Sequence, residues 1–462
     1  MTFASFKNAR IVRSGWLDNG GRRLDCNPYM SGALEARDAL MRLGCPKEKL
    51  CDLTLGMFDS GRESRNWVND SRYGVRYMGS SAISLADLST LPLISNKQVA
   101  RNPKLLVEAG WSLITRSGTI GRMAYVRSDM AGLACSEDVL RVVPDPEKIP
   151  PGYLYAFLSS HYGVPLVVSG TYGAIIQHIE PVHIADLPVP RFDREFERQV
   201  ADEIEAAAVQ RAIASSSRRA AIQLLEMKIG WKGVTSSSIA TRTNAAAVLR
   251  RMDAFHHSSK VEAGRAALAA TNGVILRDQV ERVFEPNRGS RLKVTDPAYG
   301  IPFLSSSAVF ELSPCAEYFV SRSLTPNLEN LLLSECDVLL PRSGQLGGII
   351  GRAVLPLPRN VGHAGSEHLV RIRCHSQSDA AYLWAVLASE AGYWASIGTA
   401  FGSSIPSLDS SLIGELVVPW LPKQDRVEIE ALVRKAVAAQ DMGVALETAA
   451  VEQLEAKIRK EG

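Results

Sequence analysis

The chain has 462 residues, of which 46% are hydrophobic and 22% are charged, and its formal net charge at pH 7 is +3. This length predicts roughly two to four domains, and the balance of residue types excludes a disordered or fibrous protein. The small positive charge permits contact with nucleic acid without indicating it, because a local basic patch matters more than the total.

The cysteines and the N-terminus predict a soluble cytoplasmic protein. The 7 cysteines are scattered without a C-x-x-C pair, so we expect reduced thiols and no metal site. The first residues lack the apolar core of a signal peptide. No run approaches about eighteen apolar residues, so we expect no membrane span.

In chain order, the first 190 residues alternate short apolar runs with turn residues, which predicts mixed strands and loops. Leu187–Pro190 closes this region, since proline favours extended backbone before it. The stretch from Glu195 to about Lys228 lacks proline and carries apolar residues at three- and four-residue steps, which is typical of one long amphipathic helix. Gly233–Ser238 follows as a predicted hinge.

The same order then returns, with Leu416–Pro419 before a second long helix from Gln424 to about Arg459. Each helix would span roughly 50 Å. A domain of about 170 residues does not easily cover such a helix. We therefore expect the two helices to pair as a rod that spaces two domains. The alternative is that each helix caps its own domain.

Short motifs in the two halves match at a nearly constant offset. Ile114–Gly121 matches Leu340–Gly347, with Arg116 opposite Arg342 (342 − 116 = 226). Such matches indicate a duplicated domain, because a unit of roughly 230 residues is too long for a solenoid repeat. Chance similarity among glycine-rich turns is the alternative. Four further matches lie in the same order: Tyr77–Ala82 with Phe303–Ala308, Tyr153–Leu158 with Tyr382–Leu387, Gly173–Ile179 with Gly402–Leu408, and Arg23–Asp25 with Arg251–Asp253.

These duplicated motifs resemble the specificity subunits of type I restriction–modification systems, over essentially the whole chain from about residue 20. The second glycine loop departs from the pattern, because Gly347–Gly351 adds residues before Arg352. The Glu-Gln usual at the helix start is also less regular. The family signatures, each present twice, are the Arg-(Leu/Met)-Asp opening at Arg23 and Arg251, the Arg-Ser-Gly-x-(Ile/Leu)-Gly loop at Arg116 and Arg342, the Tyr-Leu helix start at Tyr153 and Tyr382, and the paired prolines Pro188/Pro190 and Pro419/Pro422.

The resemblance implies an α+β fold. Two tandem target-recognition domains of mixed β-sheet plus helices would be separated by two long antiparallel helices, which form a coiled-coil rod with pseudo-twofold symmetry. On this chain the first domain would be residues 1–190, and the linker with the second domain 233–420. The spacer helices would be 191–232 and 421–462.

The resemblance also implies a function. Each domain would read one half of a bipartite site in double-stranded DNA, and the chain would have no catalytic site of its own. Two methyltransferase subunits would bind S-adenosylmethionine and dock on the rod, so we expect no cofactor in this chain. Restriction subunits would be further partners in complexes that cleave DNA.

The candidate DNA contacts are side chains that can donate to phosphates or base edges. Each also has an ordinary structural reading, as a turn residue or part of a solvated face. In the first copy they are Ser80, Ser81, Lys97, Gln98, Arg116, Ser117, Thr119, Arg122, Tyr172, Gln177 and His178; in the second they are Ser306, Ser307, Arg342, Ser343, Gln345 and Arg352.

Two other function classes remain open at this stage. A duplicated scaffold that assembles other proteins would show no DNA affinity. An enzyme of unrecognised type would need a titratable pocket in one copy. Asn27–Tyr29 is similar to the motif of amino-methyltransferases but lacks one proline, and Phe255–His257 stands at the matched position. No phosphate loop, zinc motif or nucleophile elbow accompanies it.

Overall fold

The computed structural model describes residues 14–19, 29, 31–169, 178–234, 243, 245–286, 289–402 and 404–462. Contacts divide the chain into two units. Unit 1 comprises Met1–Ala212 and Met442–Gly462, and unit 2 comprises Ile213–Asp441. Both units combine sheets with helices, so the mixed α+β content predicted from the sequence is confirmed. No helix in the described part of the chain is long and apolar enough to cross a membrane.

Unit 1 carries two four-stranded sheets and a strand pair. Its elements are α1 (Ser14–Asn19), α2 (Ala33–Arg42), β1 (Lys47–Lys49), β2 (Thr54–Phe58), β3 (Trp67–Val68), β4 (Gly74–Met78), β5 (Leu93–Ser95), α3 (Asn96–Arg101), β6 (Ser112–Thr115), β7 (Met123–Tyr125), β8 (Ala134–Cys135), β9 (Val139–Pro144), α4 (Pro151–Ser159), α5 (Gly163–Ser169), α6 (Pro181–Ile184) and β10 (Pro188–Pro190), followed by the long helix α7 (Arg194–Lys228). The sheet orders are β2-β9-β6-β7 and β3-β5-β4-β8, and β1 pairs with β10. Within them, only the β4–β8 pair is parallel.

Unit 2 repeats this plan. Its elements are α8 (Ala245–Arg250), α9 (Ser259–Ala270), β11 (Gly273–Ile275), β12 (Arg282–Phe284), β13 (Lys293–Val294), β14 (Gly300–Leu304), β15 (Tyr318–Ser321), α10 (Leu328–Leu331), β16 (Asp337–Pro341), β17 (Ala364–Gly365), β18 (Leu369–Arg373), α11 (Gln377–Ala388), α12 (Glu390–Ile397), α13 (Ser410–Gly414) and β19 (Val417–Pro419), followed by the long helix α14 (Lys423–Glu461). The sheet orders are β12-β18-β16, β13-β15-β14-β17 and β11-β19.

The sheets of the two units correspond strand for strand, with one exception. The order β3-β5-β4-β8 recurs as β13-β15-β14-β17, including the parallel pair at the same edge. The pair β1-β10 recurs as β11-β19, antiparallel in both cases. Only β7 lacks a full counterpart, and an isolated bridge between Leu339 and Val354 stands in its place. The duplication predicted from short sequence matches therefore extends to the sheet topology.

The long helices contribute to the core of each unit. In unit 1, Val200 and Ile204 of α7 lie in one buried cluster with Leu454 and Ile458 of α14. In unit 2, Ala221 and Leu225 of α7 lie in one buried cluster with Ile429 of α14. These residues recur at the three- and four-residue steps of the predicted apolar stripe, so burial of that stripe explains why both segments are helical.

Within each unit the paired helix segments run antiparallel. In unit 1, Lys457 Nζ lies 5.4 Å from the Phe196 ring centroid, whereas Arg211 forms an ion pair with Glu447. Residue numbers therefore increase along α7 in the direction in which they decrease along α14. In unit 2, Lys228 Nζ lies 2.6 Å from Asp425 Oδ1, and Arg218 donates to Gln440 further along.

Small residues let the helix segments of unit 1 approach closely. A Cβ added at Gly443 would lie 2.9 Å from Arg211 Cγ and 3.1 Å from the carbonyl oxygen of Ala207. Ala214, the residue matched to Gly443 (443 − 214 = 229), is buried as well.

Candidate nucleic-acid interface

The matched arginines of the two glycine loops lie in matched ion pairs. Arg116 Nη1 is 2.9 Å from Asp59 Oδ2, and Arg342 Nη1 is 2.6 Å from Glu285 Oε2. The acids correspond by the same offset (285 − 59 = 226). Arg116 also pairs with Glu180. The arginine side chains are only 15% and 18% exposed. This geometry favours a role in positioning the loops over direct contact with a DNA phosphate.

The backbone at these arginines is fixed in the same way in both units. Arg116 donates its N–H to the carbonyl of Asp138 at 2.9 Å, and Arg342 donates to that of His368 at 2.9 Å. The first serine of each loop has a different partner, because Ser117 Oγ donates to Asp138 Oδ1 whereas Ser343 Oγ lies 2.9 Å from Ser407 Oγ. The backbone hydrogen bond of the loop is shared, and the partner of its first serine differs.

Glycine is required at the end of each loop by its backbone conformation. Gly121 has φ +83° and its matched residue Gly347 has φ +86°, values in the left-handed region that other residues rarely adopt. The matched glycines therefore have a structural reason in both copies.

The structure brings together part of the predicted set in unit 1. Thr119 and Arg122 are exposed on the glycine loop. Arg122 Nη1 lies 3.5 Å from Ser84 Oγ, at the end of a 3-10 turn, Ser80–Ser84. Ser81 on this turn is exposed, and Ser80 is partly exposed. A cation and several small donors thus share one surface, which is the composition that contacts to a phosphate backbone need.

The corresponding set in unit 2 is arranged differently. Ser306 and Ser307 lie before the Ala308–Phe310 turn, and Ser307 is exposed. Arg352 Nε donates to the carbonyl of Gly348 at 2.8 Å, and its guanidinium lies 5.3 Å from the Tyr393 ring centroid.

Gln345 of unit 2 lies across from a second loop. Its side chain is exposed, and its Nε2 lies 3.4 Å from the carbonyl oxygen of Ser404. Gln345 therefore brings the second glycine loop next to Ser404.

Lys97 and Gln98 do not lie together with the serine turn. Ser80 follows the end of β4, and Lys97 follows the end of β5. Because β4 and β5 are antiparallel, the two residues lie at opposite ends of the pair. Gln98 is only 1% exposed, and its amide bonds to the backbone of Ser64 and Asn66 at 2.9 Å. Burial assigns Gln98 a structural role, whereas Lys97 is exposed.

Several predicted residues lie outside the described residues, namely Tyr172, Gln177 and the motif Arg23–Asp25. His178 is described and is partly exposed next to the buried Ile179. Across the described ranges, no group of three or more His, Cys, Asp or Glu side chains could hold a metal ion.

A matched network beside the serine turns was not predicted from the sequence. Arg65 Nη2 lies 3.0 Å from Glu137 Oε1, and its guanidinium lies 5.3 Å from the ring centroid of Tyr77. In unit 2, Arg291 lies 3.0 Å from Glu367 Oε1 and 4.8 Å from the ring centroid of Phe303. The repeat offset (291 − 65 = 226) was the available signal.

A second unpredicted feature is a pair of matched, fully buried arginines, Arg141 in unit 1 and Arg371 in unit 2. Arg141 donates to carbonyls that include those of Ser136 and Val139, at 2.7 and 2.6 Å. Arg371 donates to carbonyls that include that of Gly365 at 2.9 Å. Burial lowers the pKa of both guanidinium groups, that of Arg371 to about 10. Each side chain thus links neighbouring chain segments through hydrogen bonds in the core.

Some of the exposed residues at matched positions differ between the units. Trp67 corresponds to Lys293 (293 − 67 = 226), and both are exposed. Lys97 corresponds to the exposed Ser323 by the same offset (323 − 97 = 226). The units therefore share their buried contacts and differ in part of the exposed side chains that a ligand would meet.

No family model and no curated protein matches the chain. Among solved structures, the chain is similar to the type I restriction–modification system S subunit from M. genitalium, at 12% identity over 91% of this chain and 93% of that chain, with a TM-score of 0.34. It is similar to the HsdS subunit from Thermoanaerobacter tengcongensis at 13% identity over 91% and 97%, with a TM-score of 0.28. A third similar chain, from work on complex assembly and conformational transition of the type I R-M system, is 13% identical over 90% and 95%, with a TM-score of 0.29.

These similarities extend along about nine-tenths of the chain, as the motifs do. The activity of this chain is therefore inferred from its own residues.

Proposed function

We propose that this chain is the DNA-sequence specificity subunit of a type I restriction–modification complex, in which each unit reads one half of a bipartite site. One observation supports this proposal above the others. The two units repeat the same buried frame, with the ion pairs of Arg116 and Arg342 at matched positions, while exposed positions such as Lys97 and Ser323 differ. A chain that reads two different half-sites needs two units with the same fold. The side chains that contact the bases must differ between these units.

Reading and positioning fall to different side chains in this proposal. Arg122 and Arg352 would contact phosphates, which set register and the salt-dependent part of the affinity. Ser81 and Ser307, which are both exposed, would lie close to the base edges or the backbone. Arg116 and Arg342 would hold the loops in place through their acidic partners.

The long helices α7 and α14 would fix the separation of the two half-sites. Helices of 35 and 39 residues span about 52 and 58 Å at about 1.5 Å per residue. In the proposed complex they form the coiled-coil rod, which sets the number of unread base pairs between the two motifs. The same surface would receive two methyltransferase subunits, so that specificity and catalysis lie on separate chains.

The chemistry would belong to the partners. The methyltransferase subunits would bind S-adenosylmethionine and take the target adenine out of the duplex. Restriction subunits would supply cleavage. This chain would provide only the binding energy that selects where the reaction occurs.

Selection from random duplex DNA tests the proposal, with the full chain purified together with its methyltransferase subunit. We expect two short motifs at one fixed spacing. A complex that assembles but selects no sequence at any salt concentration would replace this proposal with the duplicated protein scaffold.

A matched insertion tests the role of the helices. Seven residues added to each long helix, between Ala212 and Ile213 and between Asp441 and Met442, keep the heptad register and lengthen the helix by about 10 Å. The selected spacer should grow by about three base pairs while both motifs stay unchanged. An unchanged spacer would contradict the role of the rod.

A further inference from the structure

Each unit carries one exposed tyrosine at the same place, and these residues belong to none of the motifs above. Tyr73 precedes β4 and Tyr299 precedes β14, at the repeat offset (299 − 73 = 226). The side chains are large and apolar, yet the residues are 62% and 70% exposed. Folding gains little from an aromatic ring in such a position.

The backbone around both tyrosines is fixed by the same hydrogen bonds. Tyr73 donates its N–H to the carbonyl of Asp70 at 3.0 Å and accepts from Asn96 N at 2.9 Å. Tyr299 donates to the carbonyl of Asp296 at 3.2 Å and accepts from Arg322 N at 3.0 Å. The two phenols are therefore presented by the same rigid turn.

The glycine that follows each tyrosine explains why this turn cannot shift easily. A Cβ added at Gly74 would lie 2.9 Å from Leu93 Cβ, and one added at Gly300 would lie 2.8 Å from Val294 Cγ2. The strands thus pack too closely for any other residue. Tight packing directly after each tyrosine fixes the backbone that carries the exposed ring.

The neighbours of the tyrosines differ between the units. The Arg72 guanidinium lies 5.6 Å from the Tyr73 ring centroid, whereas the matched residue in unit 2 is Ala298 (298 − 72 = 226). Exposed cations are nevertheless close in both cases: Lys97 follows Asn96, and Arg322 bonds to the tyrosine backbone itself. Asp70 and Asp296 are the acids of these turns. The tyrosine and the aspartate three positions before it are common to both turns, whereas the neighbouring cations differ.

Among the described residues, neither phenol oxygen has a hydrogen-bond partner. Tyrosine is one of the side chains that contact DNA phosphates, and it combines an apolar ring with a hydroxyl donor. Both units carry this tyrosine, whereas the side chains proposed to read bases differ. A contact that both units share fits the sugar-phosphate backbone, which is the same in every DNA sequence.

We infer that Tyr73 and Tyr299 are equivalent phosphate contacts, one for each half-site, in which the phenol hydroxyl donates to a DNA backbone oxygen whatever the base sequence. This inference rests on the proposed function. It assigns the tyrosines to affinity and register, and leaves sequence selection to the side chains that differ.

The test uses the full chain with its methyltransferase subunit, and fluorescence anisotropy with the selected duplex and with a random duplex. We expect Tyr73→Phe and Tyr299→Phe each to weaken binding roughly 10-fold or more on both duplexes, since a hydrogen bond to a charged group is stronger than one between neutral groups. Leu55→Ala, which trims a residue that is 70% exposed elsewhere in unit 1, should leave binding unchanged. Thermal melting confirms that each variant is folded.

Unchanged binding by both phenylalanine variants would overturn the inference, and so would a loss confined to one base sequence. Because the contact is independent of sequence, the random duplex reports on it even if the wild-type complex selects no motif. That last result would overturn the proposed function and leave the tyrosine comparison readable. A complex that binds no DNA at all would overturn both.

Discussion

The hydroxyl of Tyr153 donates a 2.6 Å hydrogen bond to the carbonyl oxygen of Pro190, from inside the core of unit 1. Tyr382 makes the same bond to Pro419 in unit 2, at 2.8 Å. Both carbonyls lie at the end of a short strand, just before a long helix. The bond thus anchors the strand from which each long helix departs, and it recurs at one offset for both partners (382 − 153 = 229; 419 − 190 = 229).

Removing these hydroxyls should destabilise both units, by unequal amounts. Tyr153→Phe leaves one buried carbonyl unpaired, at a cost of about 1 kcal/mol. Tyr382→Phe should cost more, because Tyr382 Oη also accepts from the N–H of Leu421 at 3.3 Å. Urea denaturation measures both changes. Tyr73→Phe, the same change on an exposed residue, is the control, and equal stability of all three variants would contradict this account.

The buried arginines should be indispensable for folding. Arg141→Met removes a donor to the carbonyls of Val139, Leu105 and Cys135, and to that of Ser136, which also accepts from the N–H of Val139. Each buried carbonyl left unpaired costs about 1–3 kcal/mol, so we expect a loss of at least 3 kcal/mol in the free energy of unfolding. Arg62→Met on the exposed surface should change it by less than about 0.5 kcal/mol. Comparable denaturation midpoints for the two variants would refute the structural role of Arg141.

A pH-dependent contribution to stability should come from Glu226. Its Oε1 accepts from the N–H of Glu390 at 3.0 Å at the start of α12, and burial raises the pKa of its carboxyl group. The folded state therefore binds the proton more tightly than the unfolded chain. Stability should decline as the pH rises from about 4.3, the unfolded value, to the raised folded value.

Glu226→Gln should abolish that decline, because the amide keeps the acceptor and cannot ionise. Thermal melting between pH 4 and 7 gives the comparison. Glu226→Ala loses the acceptor as well and should melt lower than Glu226→Gln throughout. If wild type and Glu226→Gln show the same pH profile, the carboxyl group does not titrate as described.

Arg122 should act on affinity and not on sequence choice. Arg122→Gln removes one exposed cation near the serine turn of unit 1. We expect weaker binding to every duplex and a salt dependence of log K that is shallower by about one unit of slope. Arg42→Gln, an exposed residue at the end of α2, is the control. An unaltered slope would remove Arg122 from the interface.

The sequence predicts the parts of this fold that depend on local pattern. The second helix, expected from Gln424 to about Arg459, occupies Lys423–Glu461, since a proline-free amphipathic period is a property of the segment itself. The partners of single polar residues follow no such pattern. The sequence predicts Arg116 at a phosphate or in a turn. In the structure its partner is Asp59, which directly follows β2 and is distant in the chain. The neighbouring polar residues predict that Gln98 lies on a solvated face, yet it is buried.

The most direct test of the central claim is to ask which half-site each unit touches. A photocrosslinking residue is placed at Ser81 in unit 1 or at Ser307 in unit 2, two exposed positions at the repeat offset (307 − 81 = 226). The complex is irradiated on the selected duplex, and the crosslinked bases are mapped. We predict that the two positions crosslink to opposite halves of the site. Crosslinks from both positions to the same half, or to neither, would contradict the claim that each unit reads one half of the DNA target.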